Sequence, residues 1–401
     1  MAIYPLNGKI QHYAWGGKTF LPQLLGVQNT DNQPFAELWM GTHHRGEGIL
    51  LVDNTPTPLS DFIQEQPTET LGKSVADRFV NRLPFLFKVL SVDKMLSIQS
   101  HPTKAQAKKG FAAENAAGVP LTAFHRNFKD DNHKPEVMVA LTDFWLLHGF
   151  KSKQEITTIL NTKAAFAPLR AHFSDANIFN LYKYIMEISQ AAVNEILQPL
   201  ADELAENEYT RDEADYWAKL AFQDYTRENG DYDRGVFSIY LFNLVGLKKG
   251  EGIFQGAGIP HAYLEGVNME LMANSDNVFR GGLTPKHVDV PKLLEHLVFD
   301  SVTPKILTGK SLSATETVFV TPAPDFELRK LNLFKKINHS NSPEPAPAIV
   351  IVMEGVVEVQ SGNTLFERKQ GEIFFATANT PYSIICESET AILFKATVPI
   401  S

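Results

Sequence analysis

The chain has 401 residues, of which 44% are hydrophobic and 21% charged, and its formal net charge is −9 at pH 7. This length exceeds the size at which one hydrophobic core keeps growing, so we expect two or three domains in an ordinary globular protein. The acidic balance argues against a nucleic-acid-binding protein, because phosphate backbones require a basic face.

The single cysteine, Cys386, cannot form an internal disulfide, which is typical of a protein from a reducing compartment. The N-terminal residues lack the basic start and apolar run of a signal peptide, and no stretch reaches the apolar length needed to cross a bilayer. We therefore expect a cytoplasmic protein without membrane or nucleic-acid partners. An anionic small-molecule substrate is still permitted, since a few local cations can override the global sign of the charge.

Turn signals recur at short intervals in residues 1–150, as in Asn7-Gly8, Gly16-Gly17 and the Pro-Thr-Pro of residues 56–58. Apolar runs between them, such as residues 85–90, predict short buried strands. The first 150 residues are therefore expected to form a β region.

Helix-forming residues dominate residues 151–233, where apolar side chains such as Ile178, Leu181 and Ile185 recur at helical spacing. This pattern predicts three to five helices. Strand signals return at residues 236–245 and continue to about residue 282, and residues 290–297 predict one more helix. The simplest arrangement is a β domain of residues 1–150 and 234–300, interrupted by a helical insertion.

Residues 301–401 are almost entirely strand-like, and they contain a faint repeat of the earlier β region. Residues 250–254 lead to Pro260-His261, and residues 371–375 lead to Pro381-Tyr382 at the same distance. The same order and spacing of turn and strand residues in the two regions indicates two duplicated jelly-roll barrels. A chance match in two strand-rich regions is the alternative. Tyr382 stands where the first copy has His261, so we expect no metal site in the second barrel.

Four polar residues in three separate segments form a candidate metal site. Gln99 and His101 are two positions apart in a strand-like segment and would face the same side. Glu136 follows a proline in an extended segment, and His261 follows a Gly-rich turn. These nitrogen and oxygen ligands suit Zn²⁺, although the spacing alone also permits purely structural roles. His43 and His44 are interpreted as loop residues rather than ligands.

Several motifs, in the right order, resemble type I mannose-6-phosphate isomerase. They occupy residues 11–16, 37–41, 97–102, 132–136, 256–263 and 272–286. The resemblance covers both parts of the first β region and continues more weakly into residues 301–401. It implies a mainly β fold of two cupin-type jelly-roll barrels plus an α-helical domain, the second barrel being degenerate.

The resemblance also implies the activity and the roles of individual residues. The expected enzyme interconverts mannose 6-phosphate and fructose 6-phosphate through a zinc-stabilised enediol, with one Zn²⁺ per chain. Apart from the resemblance, we expect a monomer or weak dimer. The implied residues are Gln99, His101, Glu136 and His261 as zinc ligands, Arg280 as a catalytic residue, and Ser97, Lys88 and Lys286 as phosphate contacts.

Aldose–ketose isomerisation needs a base near C1 and C2 of the sugar. Lys134 and Glu270 are the candidates, and the alternatives are a substrate contact for Lys134 and an orienting role for Glu270. Two rival functions are a non-catalytic cupin that binds or senses a sugar phosphate, and a cupin dioxygenase that uses iron.

The sequence departs from the family pattern in residues 42–48, in residues 143–150 and at Gly281. The family usually has Phe-Glu-Ala-Leu-Cys-Gly-Phe near residues 144–150, where this chain has His148. We expect His148 to pack beside Trp145 rather than to line the cavity.

Overall fold

A computed structural model describes residues 2–400. The first 150 residues form strands β1 to β10 and helices α1 to α5. Their bounds are β1 Ile3–Asn7, β2 Lys9–Gln11, α1 Phe20–Leu25, β3 Glu37–His43, β4 Gly46–Glu47, β5 Ile49–Val52, β6 Thr55–Pro58, α2 Leu59–Glu65, α3 Pro67–Leu71, α4 Lys73–Arg78, β7 Phe85–Val92, β8 Ile98–Ser100, α5 Lys104–Ala116, β9 Glu136–Ala140 and β10 Phe144–Phe150.

The remaining residues form a helical segment, a second run of strands and a final β region. The bounds are α6 Lys153–Thr162, a 3₁₀ helix Ala164–Phe173, α7 Ile178–Glu187, α8 Gln190–Ala205, α9 Ala214–Tyr225, α10 Gly235–Leu241, β11 Phe242–Leu247, β12 Gly252–Gln255, β13 His261–Ala273, β14 Phe279–Gly282, α11 Val290–His296, β15 Lys310–Ser311, β16 Glu316–Phe319, β17 Glu327–Phe334, β18 Asn338–Asn341, β19 Ala348–Glu354, β20 Val356–Ser361, β21 Thr364–Lys369, β22 Ile373–Ala376, β23 Tyr382–Cys386 and β24 Thr390–Thr397. No helix in residues 2–400 is both long enough and apolar enough to cross a membrane.

The fold is mainly β, and its strands form three sheets. An 11-stranded sheet contains the order β11-β10-β13-β7-β3-β2, with β4, β8, β9, β12 and β14 paired to it off this path. A 9-stranded sheet has the order β15-β16-β17-β24-β19-β22-β1-β5-β6, and a 4-stranded sheet the order β18-β23-β20-β21. The expectation of a mainly β protein is therefore confirmed.

The two ends of the chain share one sheet. Strand β1 pairs with β22, so that Ile3 lies opposite Ala376, and β1 also pairs with β5. One hydrophobic core accordingly contains residues from both halves, including Leu6, Phe87 and Phe326. This common core fixes the last hundred residues against the strands that carry the candidate site.

The helical segment has the predicted apolar stripes, but its end differs from the prediction. Ile178, Leu181 and Ile185 are buried on one face of α7. Residues 236–245 were expected to begin a strand, yet residues up to Leu241 form α10 and the strand begins at Phe242. Every residue of α10 is buried. Ser238 is the one polar aliphatic side chain in this helix, and a single polar position does not distinguish the period of a helix from the alternation of a strand.

Five helices interrupt the first 150 residues, where only strands and turns were expected. Helices α1 to α4 are at most seven residues long, too short to show a helical period. Helix α5 is longer, but Ala107 is its one buried residue, so it has no apolar stripe. It begins with a capping box of Thr103 and Gln106, a start signal that was present in the sequence.

Candidate metal centre

Three of the four predicted metal ligands meet in the interior of the 11-stranded sheet. His101 follows β8, Glu136 begins β9 and His261 begins β13. Their ligand atoms all lie within 4.8 Å of one another, and all three residues are buried. Strand pairing thus brings together side chains that are 35 and 125 residues apart in sequence.

Backbone carbonyls orient both imidazoles toward Glu136. His101 donates from Nδ1 to the carbonyl of Asn277 at 2.7 Å, and His261 donates from Nδ1 to the carbonyl of Ile259 at 2.9 Å. A carbonyl only accepts, so Nδ1 carries the proton and Nε2 keeps its lone pair. The two Nε2 atoms lie 3.5 Å and 3.3 Å from the carboxylate oxygens of Glu136.

The converging atoms have no hydrogen-bond partners. Nε2 of His101, Nε2 of His261 and Oε2 of Glu136 are buried and unpaired within residues 2–400. Burial and the charge of Lys134 hold the pKa of His101 well below its ordinary value, which keeps this ring neutral and able to act as a ligand. Three electron-rich atoms in one dry space repel one another unless a cation lies between them. The donor set fits Zn²⁺.

Gln99 lies beside the three ligands in a row of strands. On β8 it is opposite His261 of β13 and also opposite Arg280 of β14. Residues directly opposite each other in antiparallel strands have side chains on the same face. Gln99, His261 and Arg280 therefore face the same space, and Gln99 lines the cavity in front of the ligands.

A large cavity of about 2030 Å³ opens in front of these residues. Ser97, Arg280 and Lys286 line it. Arg280 has no carboxylate partner among the described residues, and its Nε is buried and unpaired. Burial, with the nearby charge of Arg45, lowers the pKa of Arg280, and burial together with Arg280 and Arg45 lowers that of Lys286. This excess of positive charge suits a phosphate group.

Lys88, the third predicted phosphate contact, is instead held between two carboxylates. Its ammonium lies 3.1 Å from Glu270 and 3.4 Å from Glu37. The charges of Glu37 and Glu270 outweigh the effect of burial and raise the pKa of Lys88, so this side chain is a cation. Tyr263 donates a hydrogen bond of 2.9 Å to the other oxygen of Glu270. Burial raises the pKa of Glu270 despite the opposing charge of Lys88.

Lys134 lies next to a metal ligand, as its spacing predicts. Its ammonium is 3.0 Å from Oε1 of Glu136, and its side chain is 11% exposed. Lys134 and Glu270 both line the cavity. The two candidate bases are therefore in the same space as Arg280.

His43 and Asp276 form a second polar group, at the cavity wall. His43 ends β3, whereas a loop position was expected; only His44 lies in the turn. The backbone N–H of Arg45 donates to Nδ1 of His43, so Nε2 of His43 carries a proton and points to Asp276 at 3.2 Å. Arg45 also pairs with Asp276 at 2.5 Å. This group does not fit a metal site, because Nε2 of His43 carries a proton and the carboxylate of Asp276 is already paired with the guanidinium of Arg45.

His148 is buried and absent from the cavity lining, but its partner differs from the expected one. Its Nδ1 is 2.7 Å from Oε1 of Gln255, and burial lowers its pKa to about 4. Trp145 instead lies near Trp217, with 6.1 Å between the ring centroids. His148 is opposite His261 and Gln255 is opposite Glu136 across the strands, so the His148–Gln255 pair lies on the same face as these two predicted metal ligands.

Two residues of the buried network were missed by the sequence reasoning. Tyr263 is two positions after His261 on a strand, a spacing that could have placed both on one face. Glu37 belongs to the motif of residues 37–41, which gave no indication of its role. Its carboxylate accepts a hydrogen bond from Trp39 as well as pairing with Lys88.

Known proteins with the same sequence pattern and fold are phosphomannose isomerases. A family model for the catalytic domain of type I phosphomannose isomerase matches residues 3–153. The mannose-6-phosphate isomerase of Escherichia coli K12 is 38% identical over 380 residues, which cover 93% of this chain and 94% of that protein. The human mannose-6-phosphate isomerase is 33% identical over 428 residues, with 98% of each chain covered. A crystal structure of mannose 6-phosphate isomerase from Salmonella typhimurium, bound to fructose 6-phosphate and zinc, has a TM-score of 0.89 and 34% identity over the whole of both chains.

Proposed function

The chain belongs to the type I phosphomannose isomerase family, and on this premise we propose that it interconverts mannose 6-phosphate and fructose 6-phosphate with one zinc ion. The observation that carries this function is the convergence of three buried, unpaired ligand atoms beside a cavity rich in cations. These atoms belong to His101, Glu136 and His261. Isomerisation of a sugar phosphate needs both features, a metal site to polarise the sugar oxygens and cations to bind the phosphate.

His101, Glu136 and His261 hold the zinc, with Gln99 as the proposed fourth ligand. Gln99 faces the same side as His261, and its amide oxygen is a neutral ligand. When bound, Zn²⁺ supplies positive charge that polarises the sugar oxygens and stabilises the negative charge of an enediolate.

Ser97 and Lys286 are the proposed contacts of the phosphate, and Arg280 is the proposed catalytic residue that contacts the anionic intermediate. All three line the cavity, and the two cations have no carboxylate partner among the residues described. The planar guanidinium of Arg280 can donate two hydrogen bonds to one pair of oxygens. The carboxylates around Lys88 favour a place for it in the buried network beside the metal rather than in the phosphate site.

Lys134 and Glu270 are the proposed residues for moving the C2 proton. Both face the cavity. Both oxygens of Glu270 already have partners, Lys88 and Tyr263, which supports an orienting role. Lys134 has one partner, the metal ligand Glu136, and its ammonium can reach other groups in the cavity.

The proposed architecture is two cupin-type barrels and a helical domain. The division into residues 1–150 with 234–300, residues 151–233 and residues 301–401 remains a prediction from the sequence. Strand β1 pairs with β22, in the sheet formed by the last strands, and this pairing supports a close association of the two β parts. The cytoplasmic location and the state of monomer or weak dimer are also predictions.

A coupled assay tests the proposed function. Purified, zinc-loaded protein is expected to form fructose 6-phosphate from mannose 6-phosphate, and to stop when a chelator removes the metal. Binding of the sugar phosphate without product would favour the non-catalytic cupin. Oxygen consumption that depends on iron would favour the dioxygenase.

A further inference from the structure

Asp325 is a carboxylate from the last third of the chain that lies in the wall of the catalytic cavity. It precedes β17, and both Asp325 and Pro324 line the cavity. Asp325 is only 3% exposed. All of the site residues predicted from the sequence come from residues 1–300, so this contribution was not expected.

The carboxylate of Asp325 holds the imidazole of His133. Oδ2 of Asp325 lies 2.8 Å from Nε2 of His133. An ionised carboxylate only accepts, so Nε2 of His133 carries the proton. No hydrogen bond to Nδ1 of His133 is formed within residues 2–400, and His133 also lines the cavity. The ring therefore presents its other nitrogen as a free acceptor.

His133 directly precedes Lys134, and the segment continues into the ligand Glu136. The side chain of His133 is 21% exposed, so its orientation is not fixed by packing alone. The hydrogen bond that His133 donates to a rigidly held carboxylate limits the movement of both the ring and the backbone of this segment. If Lys134 moves the C2 proton, a displacement of its ammonium group by even a small distance would slow this proton transfer, because the transfer depends on the distance to the sugar.

The segment that carries Asp325 is itself held on both sides. Arg78 of α4 donates to the carbonyl of Pro324 at 3.0 Å and to that of Pro399 at 3.2 Å. Phe326, the next residue, is buried in the hydrophobic core shared by the two halves. Asp325 is thus a fixed reference point and not part of a free loop.

We propose that Asp325 is a positioning residue of the isomerase, which fixes the orientation and tautomer of His133 and through it the place of Lys134. The proposal rests on the proposed function, and it assigns a catalytic contribution to the C-terminal half. The carboxylate–imidazole pair has the arrangement by which enzymes orient a histidine for use in a cavity.

The variant Asp325→Leu tests the proposal in the zinc-loaded full chain. We expect kcat to fall on the order of 10²-fold, as for other displaced catalytic groups, with the zinc content unchanged. Asp325→Asn keeps one acceptor oxygen and is expected to recover part of kcat. The matched control is Glu327→Leu, which removes a carboxylate two positions away that pairs with Arg329 outside the cavity.

The tautomer of His133 gives a readout independent of activity. In protein labelled with ¹⁵N-histidine, the His133 signals are assigned by their loss in His133→Gln. The wild type and Glu327→Leu should show the Nε2–H form, whereas Asp325→Leu should show a mixture. An unchanged His133 spectrum in Asp325→Leu, a kcat equal to that of the control, or a loss of kcat in proportion to lost zinc would each overturn the proposal. A wild-type protein that shows the Nε2–H form but no isomerase activity would instead refute the proposed function.

Discussion

Gln99 and His261 lie directly opposite each other on β8 and β13, so that an amide and an imidazole face the same space. The imidazole is fixed by the carbonyl of Ile259, whereas no hydrogen bond holds the side-chain amide of Gln99 within the described chain. The two residues therefore differ in both ligand strength and rigidity.

This difference predicts unequal losses of metal. His261→Ala should lose zinc more severely than Gln99→Ala, because a neutral amide is a weaker zinc ligand than imidazole. Metal analysis after dialysis against a weak chelator, followed by the isomerase assay, measures both effects. His172→Ala is the control, since His172 stacks on Tyr184 in the helical segment. Zinc retention in Gln99→Ala equal to that of the control would contradict the proposed fourth ligand, and equal losses in the two ligand variants would contradict the ranking of their strengths.

The cations of the cavity predict a strong preference for the phosphorylated sugar. Lys286→Met should weaken kcat/KM for mannose 6-phosphate by about 10- to 100-fold, in the range of one charge-assisted hydrogen bond. The slow reaction of free mannose should change little. Lys292→Met removes an exposed lysine that pairs with Glu295 and should alter neither reaction. An equal loss on mannose and on its 6-phosphate would show that Lys286 does not contact the phosphate.

The identity of the base predicts different results for two variants. Lys134→Met or Glu270→Gln, whichever removes the base, should lower kcat on the order of 10²- to 10⁴-fold with zinc retained. Isomerisation in heavy water should place some deuterium at C1 of fructose 6-phosphate, because a protein base exchanges its proton with solvent. If both variants keep zinc and near-normal kcat, neither residue is the base and His133 becomes the next candidate.

A half-buried lysine away from the cavity gives a prediction about pH and stability. Burial lowers the pKa of Lys151 to about 8, below its value in the unfolded chain. The charged form is therefore disfavoured in the fold, and this destabilisation is complete below pH 8 and fades as the pH rises toward the unfolded pKa of about 10.4.

Lys151→Met should raise the free energy of unfolding at pH 7 by about 2 kcal/mol, after subtraction of the lost hydrogen bond to the carbonyl of Phe242. The gain should shrink at pH 10. Urea unfolding at both pH values measures it, and the exposed neighbour Lys153→Met is the control. A destabilised variant at pH 7 would show that the hydrogen bond outweighs the burial of the charge.

The metal ligands could be found from the sequence because each belongs to a local motif. The spacing of Gln99 and His101 permits a shared face but also a structural role, so the ligand set followed from the resemblance of these motifs to the family and not from local geometry. The mainly β class and the helices around Ile178 and Val193 followed from periodicity.

Other features depend on contacts between distant residues and left no local signal. Asp325 meets His133 across 192 positions, and the residues around it read as an ordinary turn between strands. The ion pairs of Lys88 left no local signal either, because its partners Glu37 and Glu270 are on other strands; its role at the phosphate stays a prediction from the resemblance. Helix α10 was missed because it is buried on every side and has too few polar positions to reveal a helical period.

The pairing of Ile3 with Ala376 has a consequence for the order in which the protein is made. Strand β1 is synthesised before its partner β22, which follows some 370 residues later. At about 5–20 residues per second, β1 waits roughly 20–75 s for its place in the sheet. During synthesis β5 can pair with one edge of β1 early, whereas the other edge must remain open while the strands of the candidate metal site are already complete. A peptide tag fused close to Ile3 is expected to slow the pairing of β1 with β22, whereas a tag after residue 400 is not.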